Sequence, residues 1–387
     1  MRILQIVPSI SLVYGGPSQM VLGLSGALAR AGVEVTVLTT DSNGDTGQAP
    51  LDVPLDRPVE QDGYQVRYFR CSPFRRYKFS LDLLGWLYQN AKEFDLAHIH
   101  ALFSPVSSCA ATVARSLHVP YILRPLGTLD PADLQKKRQL KQIYATVLEK
   151  PNIAGAAAIH FTSLQEAKVS ERFGVSTKDL VIPLGVQLPN TNPQLPVTNS
   201  PFPTLLYMSR IDPKKGLNLL LPALENLLAQ GLKFHFVLAG GNPQDPDYEG
   251  KIKAQVQASP LGEYTTIAGF VTGDRKASLL QQADLFVLPS YYENFGIAVA
   301  EAMASATPVV ISDGVYIWQD VEGAEAGWVS ALTVESLTLA LKLALESEQE
   351  RKRRGERAKE YAASHYSWDA IAQQTIAAYQ KILSQRA

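Results

Sequence analysis

Two carboxylates eight residues apart, Glu293 and Glu301, bracket a glycine in the stretch Ser290-Tyr-Tyr-Glu-Asn-Phe-Gly-Ile-Ala-Val-Ala-Glu301. A short apolar run, Leu285–Leu288, precedes them and a helix rich in small residues follows. Gly296 then sits at a strand-to-helix turn. The helix start offers unpaired N–H groups and the positive end of the dipole to an anion. A carboxylate on each side suits hydroxyls. Read as one helix, eight residues span about 12 Å, roughly a hexose to a ribose across a diphosphate. A nucleotide-sugar has that layout. The expected roles are Glu293 and the backbone of Asn294, Phe295, Gly296 and Ile297 for the sugar and phosphate, and Glu301 for ribose.

A second loop supplies the opposite charge. Met208-Ser-Arg-Ile-Asp-Pro-Lys-Lys-Gly216 also joins an apolar run to a helical pattern. Arg210 and Lys215 can neutralise a diphosphate, one as a fork and one as a point charge. Lys214 is the expected exposed member, and Gly216 lets the backbone turn. A third loop, Tyr14-Gly15-Gly16-Pro17, permits close approach to a ligand through Gly15 and Gly16 but matches neither GxGxxG nor a P-loop. Asp245-Pro-Asp247 is a formal D-x-D match in a Gly/Pro-rich loop. We set it aside as a metal site, because the cations and the helix start can stabilise a leaving diphosphate without one.

Positioning these loops requires strands and helices in alternation, and the chain has them. Strands are expected at Ile3–Val7, Val33–Thr39, Val66–Phe69, Leu96–His100, Tyr121–Leu123 and Ala157–Phe161. After a proline-rich stretch they resume at Thr204–Met208, Phe234–Ala239, Thr265–Ala268, Leu285–Leu288 and Val309–Ile311. This is the parallel-sheet α/β pattern, twice over. The expected division is residues 1–186, a linker at 187–203, and residues 204–367, with 368–387 as a last helix. With 387 residues each half can bury its own core. The net charge of −1 gives no basic field for nucleic acid. Cys71 and Cys109 form no metal-type cluster and fit a reduced compartment. The apolar run Ile3–Val7 ends at Pro8, too short for a signal peptide, so a cytoplasmic protein is expected.

The order of these motifs resembles the GT-B glycosyltransferases of family 4, over nearly the whole chain. Val181-Ile-Pro-Leu-Gly-Val186, Ala268-Gly-Phe-Val271 and Tyr366-Ser-Trp-Asp369 agree with it. Within that family the chain is similar to cyanobacterial enzymes that build envelope polysaccharide with glucose. The resemblance implies two Rossmann-like domains facing across a deep cleft, with the last helix crossing back to the N-terminal one. It implies transfer of a hexose, glucose first, from a UDP-sugar with retention, to a saccharide or lipid-linked saccharide. Arg210, Lys215 and Glu293 would serve the reaction, Glu301 the ribose, and the base would rest near Phe270 and Val271. No cofactor is implied.

Where relatives carry a histidine near the donor sugar, this chain has Leu126 within Arg124-Pro-Leu-Gly127, and Leu184 stands where many have asparagine. Arg124 and His100 are the substitute candidates. His98, His118 and His160 are expected to be structural or on the surface. The helix expected over Leu134–Glu149 has an apolar stripe of Leu140, Ile143, Tyr144, Val147 and Leu148 below Lys136, Lys137, Arg138 and Lys141. With Arg75-Arg-Tyr-Lys78 it could meet an anionic lipid, giving peripheral contact with the inner face of the plasma membrane; a solvated face is the simpler alternative. Two rival functions remain: a nucleotide-sugar epimerase on the same scaffold, which lacks an evident acid/base pair, and a non-catalytic nucleotide-sugar binder.

Overall fold

A computed structural model describes residues 1–45, 48–72, 78–134, 138–189 and 200–385. Arg75, Arg76, Tyr77, Lys136, Lys137 and most of the linker expected at 187–203 lie outside the described residues. The strands are β1 (Arg2–Ile6), β2 (Glu34–Thr40), β3 (Val59–Gln61), β4 (Tyr64–Phe69), β5 (Leu96–His100), β6 (Tyr121–Arg124), β7 (Ala158–Phe161), β8 (Asp179–Val181), β9 (Thr204–Met208), β10 (His235–Ala239), β11 (Thr265–Gly269), β12 (Leu285–Leu288), β13 (Val309–Ser312) and β14 (Gly327–Ser330).

The helices are α1 (Gly16–Arg30), α2 (Leu81–Asn90), α3 (Pro105–Ser116), α4 (Pro131–Leu134), α5 (Arg138–Tyr144), α6 (Lys150–Gly155), α7 (Leu164–Val169), α8 (Leu217–Ala229), α9 (Pro246–Ala258), α10 (Gly273–Gln282), α11 (Ile297–Ala304), α12 (Trp318–Gly323), α13 (Val334–Glu346), α14 (Glu348–His365) and α15 (Trp368–Ser384).

The chain forms two compact units, residues 1–185 with 368–387, and residues 186–367. The first is built on an eight-stranded sheet in the order β3-β4-β2-β1-β5-β6-β7-β8, parallel except for β3. Apolar side chains cover both faces, as a parallel sheet between helix layers demands. One face packs Leu83, Leu87, Val106 and Ala110 of α2 and α3 against Leu4, Ile99 and Leu123. The other receives Leu24 and Leu28 of α1 together with Ile371, Ala372 and Tyr379 of α15. The last helix is therefore part of the first unit's core. Trp368 at its start lies against Gly23 and Gly185, where an added Cβ would come within 2.2 Å of the indole.

The second unit holds a six-stranded parallel sheet in the order β11-β10-β9-β12-β13-β14. Strands β9 and β12 are buried along their whole length. In this unit strand order reverses between β9 and β12, and in the first between β1 and β5. Ligands of open α/β sheets sit outside the carboxyl ends of the strands at such switch points. The loops after β9 and β12 are the two charged constellations of the sequence.

Two expectations need correction. The helix expected over Leu134–Glu149 is not α-helical to its end: α5 passes into a π-helical turn at Ala145–Glu149. The wider turn changes the phase, so Ala145 and Glu149 face inward while Ile143 and Val147 are 66% and 65% exposed. The span from Glu293 to Glu301 is also not eight residues of helix, because α11 begins only at Ile297.

Candidate active site

In the second unit, Asp212 caps the turn Pro213–Lys215 by accepting the Lys214 N–H. Gly216 follows at φ 76° and opens α8. A Cβ there would stand 1.9 Å from the Pro289 carbonyl oxygen, so only glycine lets the β9 loop close against the β12 loop. The Tyr291 N–H donates to the Lys214 carbonyl at 2.8 Å, and Asn218 Nδ2 donates to the Tyr291 hydroxyl at 2.7 Å. The two predicted constellations thus form one backbone-linked structure.

Glu293 is fixed by its main chain. Its N–H donates to the Gly314 carbonyl, and its carbonyl accepts from Tyr316 N–H, each at 2.9 Å. A Cβ on Gly314 would lie 2.4 Å from the Ser290 carbonyl, so that glycine also closes the loop. The Glu293 carboxylate pairs with Lys215 Nζ. Arg210 sits against Asp212 and Gln244, each at 3.4 Å, and is partly exposed. Lys214 is exposed, and its ammonium pKa is lowered by partial desolvation and then by Lys215 and Arg210. The loop therefore concentrates positive charge.

Gly296, at φ 80°, is the first residue of the α11 cap and gives it no side-chain hydrogen bond. The same holds for Gly216 at α8 and Gly15 at α1. Elsewhere Ser80, Ser163, Asp245, Thr333 and Ser347 cap helices through their side chains. The starts of α11, α8 and α1 thus carry no side-chain cap, as is also true of α3 and α10. Asp245 of the D-x-D match is one of the capping residues, accepting the Tyr248 N–H. No group of three metal-ligating side chains occurs among the described residues.

Glu301, one turn into α11, pairs with Lys276 of α10 at 2.6 Å. The sequence reading missed Lys276, since nothing in its local pattern marks a partner 25 positions away. The Phe295 side chain is buried edge-on to Tyr366 at 5.2 Å, leaving only its backbone for a ligand. Phe270 is 81% exposed just beyond β11, between Gly269 and Gly273, while Val271 is buried beside it.

The first unit treats its candidates differently. Gly15, at φ 67° and ψ −127°, is the turn into α1, which begins at Gly16. His100 and Arg124 are register partners at the ends of β5 and β6, and both are buried. The His100 ring nitrogen Nε2 lies 2.7 Å from Gln5 Oε1. His98 meets the Tyr379 hydroxyl at 2.8 Å and His160 at 3.2 Å, and His160 reaches the Ile182 carbonyl at 2.8 Å. Burial holds all three imidazoles below their usual pKa, His160 at about 3, and lowers Arg124 to about 10. These residues form a buried polar cluster on the sheet's α15 face.

Two family models match the sequence: "Glycosyl transferase 4-like domain" over residues 15–185 and "Glycosyl transferases group 1" over residues 191–361. Phosphatidyl-myo-inositol mannosyltransferase of Mycolicibacterium smegmatis is 25% identical over 99% of this chain and 94% of its own length. Alpha-D-kanosaminyltransferase of Streptomyces kanamyceticus is 31% identical, over 46% of each chain. Among solved structures, sucrose-phosphate synthase from Thermosynechococcus elongatus superposes with a TM-score of 0.76 at 23% identity, covering 100% of both chains. Anabaena HepE in complex with UDP-glucose does so with a TM-score of 0.72 at 20% identity, covering 98% of this chain and 100% of that one.

Proposed function

The chain belongs to the glycosyltransferases of GT-B fold, and from that premise we propose that it moves a hexose from a UDP-hexose to a saccharide acceptor. The observation that carries this reading is the joined pair of loops after β9 and β12. Lys215 pairs there with Glu293, just ahead of the uncapped start of α11, the Tyr291 N–H donates to the Lys214 carbonyl, and Glu301 lies one turn into the helix. A diphosphate at the helix start would take Lys215 and Arg210 as counter-charges. Glu301 would accept from ribose hydroxyls, and Glu293 from the sugar. The exposed Phe270 ring gives the base a face to lie on. UDP-glucose is the first choice of donor, consistent with its presence in the complex of Anabaena HepE.

In the reaction the bond between sugar C1 and the phosphate oxygen breaks, and charge grows on the leaving phosphate. Arg210, Lys215 and the α11 amides stabilise that charge where it develops. A new bond forms from C1 to the acceptor oxygen on the face that the phosphate leaves, and the acceptor proton passes to the phosphate. This gives retention and asks no general base of the protein.

The acceptor is a saccharide or a lipid-linked saccharide for surface polysaccharide. The exposed Ile143 and Val147, one turn apart beside Lys141, support contact with the lipid-bearing form at a membrane surface. Sedimentation with anionic vesicles checks this: Ile143→Asp should release the chain, and a wild-type chain that stays in solution removes the idea.

UDP release from UDP-hexoses, with and without saccharides, tests the main reading. Lys215→Ala should lower kcat about a hundredfold, close to 3 kcal/mol. A wild-type chain that binds donor yet turns over with no acceptor would be a binding protein. One that interconverts donor sugars without acceptor would be an epimerase.

A further inference from the structure

One buried carboxylate has no part in the donor chemistry. Glu149 ends the π-helical turn, and its side chain is enclosed in the first unit. Its Oε1 accepts the Phe103 N–H at 2.7 Å and the Ser108 hydroxyl at 2.6 Å. Burial pushes its pKa up, so an ionised carboxylate is costly here. The loop that it grips leaves β5 at the switch point between β1 and β5. Within that loop Ala101 and Phe103 have φ of 66° and 59°, a region that L-residues other than glycine rarely hold. The Phe103 ring is set between Tyr144 at 5.8 Å and Phe173 at 6.3 Å, with Lys141 Nζ 5.6 Å from its centre.

A strained loop persists when its surroundings over-determine it, and here a π turn swings one carboxylate inward to do so. We infer that Glu149 is a positioning residue: through the Phe103 amide it holds the loop after β5 in the shape that receives the saccharide acceptor. The inference rests on the transferase reading and adds where the acceptor is received.

The test uses the full chain and its Glu149→Ala, Glu149→Met and Glu149→Gln variants. The probes are UDP-glucose as donor and 4-nitrophenyl hexosides as acceptors. Glutamine keeps an acceptor oxygen for the Phe103 amide. Methionine fills the space without one, and so serves if the alanine variant does not fold. Alanine and methionine should raise the KM for hexoside about tenfold, and leave the KM for UDP-glucose in acceptor-free hydrolysis within about twofold. Glutamine should keep both near wild type. Hydrogen exchange at the Phe103 amide should speed up about tenfold in the alanine and methionine variants only.

Equal shifts in both KM values, or unchanged exchange at Phe103, overturn the inference. So does a wild-type chain that hydrolyses UDP-glucose but transfers to no hexoside. If wild type leaves UDP-glucose untouched, the transferase reading itself has failed and the acceptor role falls with it; exchange still decides whether Glu149 holds the loop.

Discussion

Gly216 carries a constraint that no other residue type can meet, because its missing side chain lets two charged loops touch. Alanine there meets the Pro289 carbonyl at 1.9 Å and must also hold φ 76°. Strain of about 1–2 kcal/mol adds to an overlap of about 1–3 kcal/mol. Gly216→Ala should therefore lower the urea midpoint and cut UDP release more than tenfold. Gly231→Ala is the control: φ is 85° but nothing lies within 4 Å, so only stability should fall. Equal loss of activity in both would remove the loop-contact argument. Glu301→Ala should act differently from Lys215→Ala, raising the KM for UDP-glucose several-fold at nearly constant kcat, since ribose contacts are the same in ground and transition states. A fall in kcat as large as that of Lys215→Ala would contradict this. The placement of Arg210, Lys215 and Glu293 on the loops after β9 and β12, and of Glu301 on α11, was legible because charge and glycine coincide at strand-to-helix turns. For His100 and Arg124 the position at a strand end was readable, but their burial among the polar groups of the first sheet was not.

At the scale of elements, the strands that build the first sheet carry polar groups where a parallel sheet is usually apolar. His98 and His100 of β5, His160 of β7, Gln5 of β1 and Arg124 of β6 share a face with Tyr379, and buried Glu166 lies close to Arg124. All three histidines have folded pKa values below the unfolded value of about 6.5. Their contribution to stability is complete above that pH and is lost as pH falls through it. Buried Glu149 and Glu166, with raised pKa values, act in the opposite direction. Three groups that bind protons more readily in the unfolded chain outnumber two that bind them more readily in the folded one, so stability falls on acidification. The urea midpoint should thus be lower at pH 5.5 than at 7.5, and His98→Gln should flatten the slope by about one proton. A midpoint that rises on acidification would falsify the assignment. The central strands were readable as apolar runs. Strands β3, β8 and β14 were not, because short edge strands bury less and carry a weaker pattern. Helix α9 was hidden by Asp245-Pro-Asp247, which is a helix start and reads as a loop. The π turn had no signature, since one extra residue in a turn leaves composition unchanged.

At the scale of the molecule, chain order and core membership part company at Trp368. Sequence continuity joins α15 to α14, yet α15 completes the first unit. Its Ile371, Ala372 and Tyr379 are buried there, and Trp368 lies over Gly23 and Gly185. Removing residues 368–387 would forfeit about 1.5–3 kcal/mol for each large side chain. It would also strip Tyr379 from His98 and Gln5, leaving buried polar groups unpaired at about 1–3 kcal/mol each. Together these approach the whole stability of a domain, about 5–15 kcal/mol. The groups assigned to the donor, from Arg210 to Glu301, all lie in the second unit and none depends on α15. A chain ending at Ser367 should therefore lose protease resistance in residues 1–185 while residues 186–367 stay resistant. Titration calorimetry on a fragment of residues 186–367 should still detect UDP, with an affinity within about tenfold of the full chain. Loss of UDP binding by a folded fragment would mean that the donor site needs residues outside the second unit; a truncated chain that keeps its first unit intact would mean that α15 is an accessory to that core.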